Sequence, residues 1–225
     1  MIKGIIVDVD NTLVDFVAMK RAAVGAAIEA MIDAGLRFSE EEMSEKIYKM
    51  YEKTGIEDQK VFGEVLKEEY GQIDFRILAA GVIAYRKARV GAIATYPHVH
   101  LTLMDLAKRG IKLVVLSDAP KLQIMLRLVE LRLHYLFDDV IAFEDTGKTK
   151  PAPEPFLKAL GVLGTKPQET IMLGEWVDRD IKGAKALGIR TVWAKYGDTS
   201  GSKSSNADYE IDDIIELLDI VEREA

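Results

Sequence analysis

The sequence predicts an α/β protein: a doubly wound parallel sheet with a block of helices set into it. Three observations carry this. After Tyr96-Pro97, short apolar runs alternate with stretches of helical period, as parallel strand–helix–strand units require. The apolar runs stop abruptly at Asp8, Ser117 and Gly174-Glu175, polar residues where open parallel sheets bind ligands. Between the first run and Tyr96 the texture changes to Ala, Met, Glu and Lys, with no strand pattern.

Ile2 to Val7 reads as a buried strand, short and β-branched, ended by Asp8-Val9-Asp10-Asn11-Thr12. From about Lys20 to Arg89 apolar residues recur three or four apart, as at Ala27, Met31 and Ala34, and at Met43, Ile47, Met50 and Tyr51. Ser39-Glu40-Glu41-Glu42 carries the signature of a capping box. Gly35, Gly55 and Gly71 sit where helices could end, and Ile73 to Arg89 reads as a further helix. We expect a helical domain over residues 16–94 and a core formed by 1–15 and 95–225.

In the second half, helix His98 to Arg109 leads to strand Ile111 to Leu116, and helix Lys121 to Leu133 to a short strand at Val140 to Phe143. A loop from Glu144 to Pro153 precedes helix Glu154 to Leu163 and strand Thr170 to Leu173. Helix Asp178 to Leu187 ends at Gly188, before strand Arg190 to Ala194. A Gly/Ser-rich loop, an edge strand at Tyr209 to Ile211 and a helix at Ile214 to Arg223 complete the pattern.

Composition removes several function classes. The 225 residues carry a net charge of −7, with no basic stripe of the kind that binds a nucleic-acid backbone. With no cysteine there is no disulfide, no zinc–thiolate site and no thiol nucleophile. No apolar run approaches the roughly 20 residues that span a bilayer, and Met1-Ile2-Lys3-Gly4 turns acidic too quickly for a secretory signal. The expectation is a cytoplasmic protein with no nucleic-acid or membrane partner; assembly into a homo-oligomer stays open.

Asp8 and Asp10 are two apart in an extended segment, so their side chains point the same way. Two carboxylates in one space repel unless a cation intervenes. A hard divalent ion such as magnesium prefers such oxygen ligands. One carboxylate can attack phosphorus, and the other can protonate the leaving group and activate water. Two acids in a strand-end turn, favoured by Asn11, is the bland alternative. Ser117 could simply cap the next helix, the weaker of its two readings, and Asp180 could serve a helix dipole. Lys150 has a rival in Lys148 but is preferred because it directly precedes the proline, and Glu175 has a nearby substitute in Asp178.

At this point the chain resembles the haloacid dehalogenase (HAD) superfamily, chiefly its phosphatases, over nearly its whole length. Asp8-Val9-Asp10-Asn11-Thr12-Leu13 matches the first motif, and Leu113 to Ser117 the second. Lys150-Pro151-Ala152-Pro153-Glu154-Pro155-Phe156 matches the third. Gly174-Glu175 with Asp180-Ile181-Lys182-Gly183-Ala184 matches the fourth, and the helical insertion matches the family's cap domain. The resemblance implies a Rossmann-like core. It makes Asp8 the nucleophile and Asp10 the general acid/base. Thr12, Ser117 and Lys150 would serve the phosphate. Asp8, Asp10 through its backbone carbonyl, Glu175 and Asp180 would serve Mg2+. The chain departs from the family at Glu175, where Asp is usual, and at Trp176, where a small residue is common.

The implied activity is magnesium-dependent hydrolysis of a small phosphorylated metabolite through an aspartyl-phosphate. Asp10 argues against dehalogenation, because the resembling dehalogenases lack this second acid. A phosphomutase, or a weakly active phosphate-binding regulatory module, is the alternative. The cap is expected to choose the substrate, with Phe16, Lys20 and Arg21 as lining residues.

Overall fold

The computed structural model describes residues 1–224, which form two compact units. One comprises Met1–Asp15 together with the chain from Ala94 onward; the other is Phe16–Ile93.

The first unit is built on six parallel strands in the order β3-β2-β1-β4-β5-β6. They are β1 (Gly4–Val7), β2 (Lys112–Leu116), β3 (Asp139–Ile141), β4 (Thr170–Gly174), β5 (Arg190–Ala194) and β6 (Tyr209–Ile211). Ile5 is in register with Leu113 and Ile171, and Ile6 with Val114 and Met172. Alternate residues of a strand face opposite ways. Ile6, Val114 and Met172 accordingly join one core with Phe156, Leu160, Leu163 and Ala184. Ile5, Leu113 and Ile171 take the other face and are equally buried. Helices therefore cover both faces, which is why these strands are apolar throughout rather than alternating.

Chain order reverses between β1 and β4, so the crevice at their carboxyl ends is a switch point, where open parallel sheets take ligands. Asp8 follows β1 and Glu175 follows β4.

The second unit holds α1 (Phe16–Asp33), α2 (Glu40–Thr54), α3 (Val61–Tyr70) and α4 (Phe75–Ala92). Ala27, Met31, Met43, Ile47, Phe62 and Leu66 belong to its own core. Ser39 caps α2 in a full capping box, its side chain accepting from the Glu42 amide while the Glu42 carboxylate accepts from the Ser39 amide.

The remaining helices belong to the first unit: α5 (Val99–Lys108), α6 (Lys121–Glu130), α7 (Phe143–Thr146), α8 (Pro153–Leu163), α9 (Lys182–Ala186) and α10 (Glu216–Arg223). Three differ from the sequence expectation. α6 stops three residues early, and Arg132 then takes a left-handed conformation. β3 ends at Ile141 because Asp145 accepts from the Ala142 amide at 2.9 Å and starts α7 inside the expected loop. The helix expected from Asp178 is a π-type turn over Val177–Ile181, followed by α9. Among the described residues no helix is long and apolar enough to cross a membrane.

Candidate active site

Three strand ends and one loop supply the site. After β1 the chain tightens at once: the amides of Thr12, Leu13 and Val14 all donate to the Val9 carbonyl, and Asn11 is left-handed. This turn sets Asp8 and Thr12 inward, both buried. Thr12 donates its hydroxyl to Glu175 Oε2 at 2.8 Å, and its carbonyl accepts from the Tyr196 hydroxyl at 2.7 Å.

The loop before α8 carries Lys150, which is buried although it is a lysine, whereas Lys148 is exposed. Its Nζ is 2.5 Å from Asp8 Oδ1 and 2.6 Å from Asp180 Oδ1, and it donates to the Leu116 carbonyl at 3.1 Å. Its amide donates to Asp118 Oδ1 at 2.8 Å, tying the loop to the end of β2.

After β4, Glu175 and Asp180 are buried and Asp178 is exposed. Gly174 makes the Asp180 position available, because a Cβ on Gly174 would overlap the Asp180 carboxylate. The Trp176 amide donates to Asp180 Oδ2 at 3.0 Å, and Trp193 Nε1 donates to the Glu175 carbonyl at 2.8 Å. Each of Asp8, Glu175 and Asp180 offers one oxygen within 4.8 Å of the other two.

The electrostatics follow from burial. Loss of water, reinforced by Asp180 and Asp10 and opposed by Lys150, pushes the Asp8 carboxyl up to about 7. Burial, then Asp8 and Asp180, push Glu175 well above the usual carboxylate range. Burial works against charge on Lys150 too, but Asp180, Asp8 and Asp118 outweigh it and hold its ammonium above the usual lysine value. Three buried carboxylates face one ammonium, an oxygen-rich site short of positive charge. A hard divalent cation fits that donor set, and it would displace protons from Asp8 and Glu175.

Ser117 sits buried at the end of β2, its Oγ accepting from the Ala119 amide at 3.2 Å, so its O–H is left to donate to a ligand. It serves the turn before α6; the helix cap is Pro120. Asp10 lies outside the cluster of three acids. Its Oδ2 is 3.2 Å from Nη1 of Arg127, a buried arginine on α6. Of the residues expected to line the substrate space, Phe16 and Lys20 are buried in the helical unit and Arg21 is exposed. Lys20 Nζ donates to the Ile56 carbonyl and the Tyr85 hydroxyl and lies 4.2 Å from the Tyr51 ring centre.

Sequence reasoning missed Arg127, Asp118, Arg179, Trp193 and Tyr196. Arg179 stacks on Trp176 and donates to Asp118 Oδ2 at 3.2 Å. Asp118 and Arg179 had a local signal, their places next to Ser117 and Asp180; Arg127, Trp193 and Tyr196 reach the site from other elements of the chain.

Comparison with known proteins bears on this geometry. A family model described as haloacid dehalogenase-like hydrolase matches residues 2–188. The chain is 38% identical over 224 residues to the glyceraldehyde 3-phosphate phosphatase of Methanocaldococcus jannaschii, with 98% of this chain and 97% of that one covered. It is 34% identical over 227 residues to the protein of the same name from Methanopyrus kandleri, at 98% and 97% coverage. Among solved structures, a HAD phosphatase from Thermococcus onnurineus superposes with a TM-score of 0.72 at 26% identity, covering 98% of each chain.

Proposed function

The chain belongs to the haloacid dehalogenase-like hydrolases and is a phosphoric monoester hydrolase of that family, and we propose that it works through an aspartyl-phosphate formed on Asp8. The observation that carries this is the buried Asp8 carboxylate with the Lys150 ammonium 2.5 Å away, at the switch point of a parallel sheet.

Lys150 and the Ser117 hydroxyl neutralise and orient the phosphoryl oxygens. Positioning and charge neutralisation are what phosphoryl transfer asks of a protein. An oxygen of Asp8 attacks phosphorus, the ester bond breaks, and Asp10 gives its proton to the departing oxygen. Asp10 then takes a proton from water as that water attacks the aspartyl-phosphate. Inorganic phosphate leaves and the Asp8 carboxylate is restored. Asp8, Glu175 and Asp180, with the backbone carbonyl of Asp10, would hold Mg2+, which when bound supplies further neutralisation of the phosphoryl charge.

The substrate in this reading is a small phosphorylated metabolite met in the cytoplasm. Glyceraldehyde 3-phosphate is the first compound to test, because relatives matched along nearly the whole chain carry that name. The test is phosphate release from glyceraldehyde 3-phosphate and from para-nitrophenyl phosphate. Turnover is expected with magnesium and lost with a chelator, and Asp8→Asn should lower it by about a thousandfold or more. A wild-type enzyme inert toward a broad panel of phosphate esters would sink the reading.

A further inference from the structure

We propose that Arg127 is the positioning residue for Asp10, holding one oxygen of its carboxylate so that the other meets the leaving-group oxygen. The inference rests on the roles of Asp8 and Asp10 given above and adds to them a residue from an element not yet used, α6.

Two observations carry it. The first is contact: Arg127 Nη1 forms an ion pair with Asp10 Oδ2 at 3.2 Å, a contact of charge rather than an aligned hydrogen bond, across 117 residues of sequence, and the arginine side chain is only 6% exposed. Taking a guanidinium out of water is costly unless it is paired. The second is the pattern of α6 itself. Leu122, Leu126 and Val129 stand exposed on this helix while Arg127 is buried beside Ile124 and Leu128. Folding alone would favour the reverse, leucine inside and arginine in water.

Each of the two catalytic acids thus has a cation beside it, Lys150 at Asp8 and Arg127 at Asp10, and Lys150 also pairs with Asp180. Their needs differ. Asp8 follows directly on β1, whereas Asp10 sits in the turn two residues further on. Proton transfer demands a heavy-atom approach of about 2.6–3.2 Å, so a carboxylate free to rotate would meet the leaving oxygen only part of the time. A side chain as long as arginine can supply that restraint from a neighbouring helix without entering the substrate's space.

The experiment uses the chemistry that Asp10 alone serves. An alkyl phosphate has a poor leaving group and needs a proton delivered as the bond breaks; para-nitrophenyl phosphate leaves as a stable anion and needs little help. In the full-length enzyme with magnesium, Arg127→Gln should lower kcat on glycerol phosphate by about a hundredfold, on para-nitrophenyl phosphate by less than about threefold, and leave both KM values nearly unchanged. Arg127→Ala should behave alike and regain part of its alkyl-phosphate turnover when guanidinium is added. Arg127→Lys, which keeps the charge with a shorter reach, should fall between. Parallel losses on both esters, no loss on either, or failure of all three variants to fold would mark Arg127 as a purely structural cation and overturn the proposal. A wild type inert on both esters is a different result: it removes the phosphatase reading itself, and this inference with it.

Discussion

Asp8 and Glu175 decide how the site responds to pH. An unfolded aspartate ionises near 3.8, whereas burial first, and then Asp180 and Asp10 against the opposing pull of Lys150, moves folded Asp8 up to about 7. Between those values the folded, metal-free chain keeps a proton that the unfolded chain has released. Raising the pH through that window therefore removes stability. Glu175, shifted the same way, adds to the slope; Lys150, held above its usual value, stays charged throughout and adds nothing. Thermal melts in chelator should show Tm falling more steeply across this window in wild type than in Asp8→Asn. Added magnesium should raise wild-type Tm more at the upper end, where fewer protons compete for the same oxygens. A magnesium effect independent of pH would show that the ion sits elsewhere. At this scale the sequence was legible where side chains follow strands: Asp8, Ser117 and Glu175 declare themselves by ending apolar runs. It preferred Lys150 to Lys148 for its place directly before the proline, and Glu175 to Asp178, on slender grounds; in each pair the preferred residue is buried and its rival exposed. Arg127 was illegible, because an arginine in an amphipathic helix reads as part of its solvated face.

Elements were legible in proportion to how local their causes are. The α2 cap is a matter of four adjacent residues, and Ser39 with Glu42 forms the pairing their spacing suggests. The break of the expected helix into a π-type turn and α9 has a tertiary cause: Gly174 leaves room for the Asp180 carboxylate, which accepts from the Trp176 amide. Packing between elements also separates two glycines that look alike in sequence. Gly161, in α8, has nothing within 4 Å of where a Cβ would stand. Gly161→Ala should stabilise the protein by about 0.5–1 kcal/mol, by narrowing the unfolded ensemble. Gly183, in α9, faces the Phe156 ring at 2.6 Å and the Pro151 backbone at 3.0 Å from the same hypothetical atom. Gly183→Ala should cost about 1–3 kcal/mol by over-packing, and should slow turnover because Pro151 follows Lys150. Denaturant midpoints with unchanged m-values would measure both; equal shifts in the two variants would show that α8 and α9 pack more loosely than these distances imply.

For the whole molecule, the chain leaves one compact unit at Asp15/Phe16 and re-enters it at Ile93/Ala94; in the sequence the texture changes after the first motif and alternation returns at Tyr96-Pro97. That division separates chemistry from the remainder. Asp8, Asp10, Ser117, Arg127, Lys150, Glu175 and Asp180 all lie in the sheet unit, while residues 16–93 have a core of their own and contribute none of these groups. An inserted unit that brings no reacting group can still decide which molecules reach the site and how water is kept out. Exchanging residues 16–93 for the helical segment of another phosphatase of the family should therefore change the ranking of substrates in a phosphate-release panel. Hydrolysis of para-nitrophenyl phosphate, whose small reacting end asks little of a cap, should persist within about tenfold, and its loss in Asp8→Asn should be the same in the exchanged enzyme. Should the exchanged enzyme fold and keep the original ranking, specificity would have to reside in the sheet unit, with the exposed Trp176 and the Arg179 stacked on it as the place to look.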